Sequence, residues 1–176
     1  MNFRKLKFAF AIVIALYFFW VALYPQNGSF LDLVDLPIHE AGHILFTPFG
    51  QFLTVAGGTL LQLIVPTAFI ASFLYREDYY AASVTAHWLG QSFLNVYVYA
   101  ADAVKMQLVL LGGLTGSEGA FHDWNFMLTE TGLIEYTNLI ASLIRLCGTL
   151  LIILAAVCSL YFSWFSASPD TDSYEY

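Results

Sequence analysis

Apolar residues run through this chain in long blocks rather than in amphipathic alternation. The first block, Phe8 to Tyr24, follows Arg4, Lys5 and Lys7; three more run from Thr59 to Tyr75, Tyr79 to Ala101 and Asn138 to Phe165. Each is near or above the roughly 20 residues a helix needs to cross about 30 Å of hydrocarbon. The pattern therefore predicts an all-α integral membrane protein with four transmembrane helices. Basic residues before the first block, and bulky aromatics where a small-x-small cleavage site would stand, read as an uncleaved anchor with a cytoplasmic N-terminus. Such an anchor fits a bacterial inner membrane.

Between the first two blocks lies a shorter helical stretch, Leu33 to Phe49, which carries Asp35, His39, Glu40 and His43. It reads as a membrane-embedded or re-entrant helix. Gly50, Gly57 and Gly58 bracket the β-prone "FLTVA", so a small glycine-bearing hairpin is expected there. One membrane-embedded domain over residues 1–165 and an acidic, disordered tail over 166–176 complete the expected organisation.

Composition supports the lipid reading. Of 176 residues 59% are hydrophobic and 11% charged, more apolar surface than a water-soluble globule of this size can hide. The net charge of −7 comes mostly from acids in connecting segments and the tail, and no basic stripe exists to follow a phosphate backbone, which excludes nucleic-acid binding. Cys147 and Cys158 are eleven residues apart in one helical run, roughly 16 Å at helical rise, too far for a disulfide.

The chemistry is concentrated in "HEAGH". Residues i and i+4 of a helix share a face, so His39 and His43 can offer two imidazole nitrogens to one Zn2+, and Glu40 beside them can act as general base toward a water. Ionisable groups at membrane depth are costly, which makes a merely decorative cluster hard to sustain. A catalytic zinc site takes three protein ligands and one open position. The candidates for the third are Asp35, His87, Asp102, His122 and Asp123. His122 is the best intrinsic zinc ligand, with Asp123 beside it as an acceptor that could orient an imidazole. His87 reads as a histidine bonded within the bundle, and Arg145 as paired or snorkelling. Gln62 and Asn95 read as helix–helix glue or as hydrogen-bonding groups for a substrate backbone. The glycine-rich "GGLTGSEGAFHDWN" reads as a flexible segment able to close over the site.

From Leu33 to Asp102 the sequence, with "HEAGHILFTPFGQFLTVAGG", resembles the core of the site-2-type intramembrane zinc metalloproteases. That resemblance implies a zinc metallopeptidase acting on a membrane protein or peptide, with Asp102, by its place in the order of elements, as third ligand. The chain carries no Asp-Gly motif with flanking prolines and no inserted PDZ domain, so Asp102 and His122 both stand as third-ligand candidates. Two other readings remain: a membrane zinc hydrolase of a non-peptide amide, and a non-enzymatic scaffold with a structural or vestigial metal site.

Overall fold

A computed structural model describes residues 3–165; the expected acidic tail lies outside the described residues. Six α-helices follow in order: α1 (Phe3–Leu23), α2 (Asp32–Phe46), α3 (Gln51–Tyr75), α4 (Tyr79–Ala101), α5 (Asp123–Glu130) and α6 (Thr137–Phe165). Short 3-10 turns at Pro25–Asn27, Thr47–Phe49, Gly116–Glu118 and Ile134–Tyr136 join them, and no strand occurs among the described residues.

Three stretches are long and apolar enough to cross a membrane: Phe3–Leu23, Gln51–Tyr75 and Ile134–Phe165. The fourth expected span is also a long helix, α4, at 23 residues, but it buries Ser83, His87, Gln91 and Ser92 along its length. It is the central helix, packed along α6 and against α3 and α1. Its polar residues therefore face protein, and the apolar surface of the bundle is supplied by the others. Leu16 and Val13 of α1 and Leu150, Leu154 and Val157 of α6 are all exposed, the coat expected where lipid is the solvent. The buried centre comprises Phe18, Val21 and Ala22 of α1, Leu94 of α4 and Ile152 of α6. Gly90 and Gly148 let α4 and α6 approach closely, since a Cβ on Gly148 would stand 2.8 Å from the Gly90 carbonyl oxygen.

The expected hairpin around "FLTVA" is absent: residues 51–75 form one helix, with Gly57 and Gly58 inside it. The turn comes earlier, at Gly50, whose φ of +92° suits glycine. The β-propensity of Thr54 and Val55 is worth little beside the packing of α3 on α2, where Gly42 meets Gly57 so tightly that a Cβ on either would strike the other's carbonyl oxygen. α2 and α3 thus lie antiparallel, with Thr54 beside His43 and Gln62 beside His39.

Before α2 the chain doubles back. The hydroxyl of Tyr17, about two-thirds of the way along α1, donates to Ser29 Oγ at 3.2 Å and accepts from the Phe30 amide at 3.2 Å. The segment after Pro25 consequently returns along α1 before α2 begins. At 15 residues α2 is about 22 Å long, shorter than a hydrocarbon core.

Candidate metal centre

His39 and His43 occupy one face of α2, and both rings turn toward α3, where Gly58 leaves room for them. A Cβ at Gly58 would lie 2.5 Å from His39 Nε2 and 2.7 Å from His43 Nε2. The third participant comes from far along the chain. Asp123 Oδ2 stands 3.0 Å from His39 Nε2 and 3.3 Å from His43 Nε2, and the three ligand atoms lie within 4.8 Å of one another.

The partners of the other ring nitrogens fix the tautomers. His43 Nδ1 lies 2.9 Å from the Thr54 carbonyl oxygen, which can only accept, so Nδ1 carries the proton. Gln62 directs its Nε2 to Asn95 Oδ1 at 2.9 Å and Asp35 Oδ2 at 3.4 Å, which turns its Oε1 toward His39 Nδ1 at 3.1 Å. His39 is likewise protonated at Nδ1. Both Nε2 lone pairs then face a carboxylate oxygen, three electron-pair donors with nothing positive among them. Protons or a metal ion must lie at that point. The 3.0 and 3.3 Å separations are close to the roughly 3.3–3.6 Å edge of a tetrahedron of ligands about 2.0–2.2 Å from zinc. The donor set, two imidazoles and one carboxylate with outer hydrogen bonds holding both rings, fits Zn2+.

Asp123 is placed by the start of α5. His122 caps that helix: its Nδ1 accepts from the Asn125 amide at 3.2 Å, and the Asp123 amide donates to Tyr99 Oη at 3.0 Å. With Nδ1 used as an acceptor, His122 carries its proton on Nε2, 3.4 Å from Asp102 Oδ2. Burial outweighs that carboxylate and lowers the His122 pKa below its ordinary value. Asp102 in turn accepts from the Gln107 and Leu108 amides at 3.1 and 2.7 Å, closing the end of α4. The two residues favoured from sequence as third ligand thus lie 3.4 Å apart without a hydrogen bond between them, and each serves a backbone end. Asp123, considered from sequence as an acceptor for its neighbour, is the carboxylate that joins His39 and His43.

The remaining candidates separate cleanly. Asp35 accepts from Trp88 Nε1 at 2.7 Å and from Ser92 Oγ and Gln62 Nε2, an anchor one shell behind the rings. His87 is fully buried, its Nδ1 bonded to Ser83 O at 3.1 Å and its ring against Phe18. Arg145 lies over the Tyr97 ring, 5.4 Å from its centroid. Tyr99, which no sequence signal singled out, packs against both His39 and His122. Part of the glycine-rich segment is ordered by a lone antiparallel bridge between Val109 and Thr115.

A cavity of about 870 Å³ opens beside the centre. His39, Glu40, His43 and Asp123 line it together with Asp32, Gln62, Gln91, Asn95, Tyr99 and the apolar side chains of Leu36, Leu94, Val98 and residues 108–111. Such a volume suits an organic ligand or a stretch of peptide. Comparison of the chain with protein-family models, with curated proteins and with solved structures gives no match.

Proposed function

We propose that this chain is an integral-membrane zinc metallopeptidase that hydrolyses a peptide bond within or beside the membrane. The observation that carries the reading is the convergence of Asp123 with His39 and His43 at the wall of a large cavity that Glu40 also lines. Bound zinc would supply Lewis acidity, polarising a carbonyl and bringing water toward ionisation near neutral pH. The residues do the rest. His39, His43 and Asp123 hold the ion, with Gln62 and the Thr54 carbonyl keeping both rings in the Nδ1–H form. Glu40, next to His39 and facing the cavity, takes the proton from the attacking water and returns it to the leaving amine. The apolar wall, Leu36, Leu94 and Val98, takes the flanking side chains of the substrate.

Charge and packing support one membrane arrangement. Lys7 stands over the Tyr80 ring, and Tyr80 Oη donates to the Lys7 carbonyl, so Arg4, Lys5, Lys7 and Arg76 share one end of the bundle. We read that end as cytoplasmic. Both ends of the segment from Pro25 to Phe46 then lie toward the opposite face, which makes α2 part of a re-entrant excursion and α4 the fourth span. Water reaches the centre from that face.

A scaffold with a structural metal would call for a closed, four-ligand shell; three converging ligand groups beside a cavity favour catalysis. The test is zinc content and hydrolysis of membrane-segment peptides by wild type and Glu40→Gln in detergent. Wild type should hold about one zinc and cleave; Glu40→Gln should keep the zinc and lose on the order of 10²–10⁴ in rate. Equal rates, or cleavage of lipid amides but not peptides, would overturn the assignment.

A further inference from the structure

The cavity carries a second polar station away from the metal centre. Asp32 lies seven residues before His39, close to two turns, which puts it on the same face of α2 and about 10 Å along the axis. Its carboxylate is held rigidly: Oδ2 accepts from the Ser29 amide at 2.7 Å, and Oδ1 accepts from Gln91 Nε2 at 2.6 Å and Asn95 Nδ2 at 3.1 Å. All three donors are neutral. No lysine or arginine lines the cavity, and Glu40 and Asp123 add further acidity to its walls. A carboxylate at membrane depth ordinarily finds a cation.

Gln91 supplies the independent sign. It is 1% exposed and lines the cavity; its Nε2 is spent on Asp32, and its Oε1 has no hydrogen-bond partner. The amide cannot turn over, because its oxygen would then face the carboxylate. A buried acceptor without a donor is destabilising unless something supplies one. Asp32 therefore presents a charged acceptor at the cavity wall, with the unfilled Gln91 Oε1 sealed just behind it, a setting suited to a group with several donors and a positive charge.

We propose that Asp32 and Gln91 form a substrate subsite for the ammonium or guanidinium of a lysine or arginine side chain. This rests on the peptidase reading for the identity of the substrate. An extended peptide advances about 3.3 Å per residue, so the 10 Å offset places the basic residue roughly three positions from the bond held at the metal centre. The preferred substrate is a membrane-bordering polypeptide with an apolar stretch along the Leu36, Leu94 and Val98 wall and a basic residue at that spacing. Asp32 sets specificity and takes no part in proton transfer.

The test is binding, separate from turnover. Fluorescent peptides identical except for lysine, norleucine or glutamate at that position are titrated by anisotropy into full-length Glu40→Gln protein in detergent, with zinc content measured alongside. Lysine should bind on the order of tenfold tighter than norleucine, and glutamate weaker still. In Asp32→Asn and in Gln91→Met the lysine advantage should shrink to within about twofold, with zinc content unchanged. Equal binding of the lysine and norleucine peptides by the unsubstituted subsite overturns the proposal, as does displacement of the lysine peptide by ethanolamine phospholipid but not by choline phospholipid, which would assign the station to a lipid headgroup. A lysine preference in protein that neither holds zinc nor cleaves supports the subsite while removing the peptidase reading.

Discussion

Gln62 Oε1 lies 3.1 Å from His39 Nδ1, while the same amide donates to Asn95, whose own amide donates to Asp32. One hydrogen-bonded file thus runs from the far station of the cavity to the ring that faces Asp123. Gln62 is 2% exposed and every polar atom of its side chain is used. Gln62→Leu should leave the helices in place and weaken zinc affinity about 10–100-fold, measured by competition with a chelating dye. An unchanged affinity would mean that the file orients nothing.

The ligand assignment predicts an asymmetry between neighbours. Asp123→Asn and His39→Ala should each lose stoichiometric zinc, whereas Asp102→Asn and His122→Asn should keep about one ion per chain by elemental analysis. Loss of zinc from Asp102→Asn with retention in Asp123→Asn would reverse the assignment.

His122 acts on the site through the helix it caps. Asparagine is a good N-cap and leucine is not, so His122→Leu should cost about 1 kcal/mol of α5 stability, seen as faster amide exchange at Asn125, and His122→Asn should restore protection. Zinc affinity should follow the same order, because Asp123 is the first residue of that helix.

Two glycines distinguish space from backbone. At Gly58 a methyl group would press on both Nε2 atoms, so Gly58→Ala should abolish stoichiometric zinc binding in folded protein. At Gly50 the space is open and the obstacle is the φ of +92°. Gly50→Ala should lower thermal stability by roughly 1–3 kcal/mol while zinc content is unchanged.

Much of this was legible in the sequence. Hydrophobic blocks near membrane thickness gave helices, and the i, i+4 spacing gave two histidines on one face with a glutamate at the same cavity. The turn after α2 was misplaced because "FLTVA" and the glycines around it carry local signals that favour a strand, while the contact of Gly42 with Gly57 that keeps them helical is tertiary. That Asp123, and not the favoured His122 beside it, meets the two rings was hidden for a related reason. Donor chemistry ranks histidine above aspartate for zinc, but which of His122 and Asp123 faces the rings depends on His122 being consumed as a helix cap. That is visible only once α5 has a start. Tyr99 had no signal at all, since its role is to receive the Asp123 amide and pack against two rings.

His39 and Asp123 meet across 84 residues of chain. α2 and α3 are synthesised before α4 and α5, so both imidazoles are made before the carboxylate that meets them. The third donor arrives only after α4 has been threaded through the bundle and the loop beyond Asp102 has folded back to seat α5. On the zinc reading proposed above, the site is complete only when Asp123 arrives, so the order of synthesis leaves a half-inserted chain without its third donor.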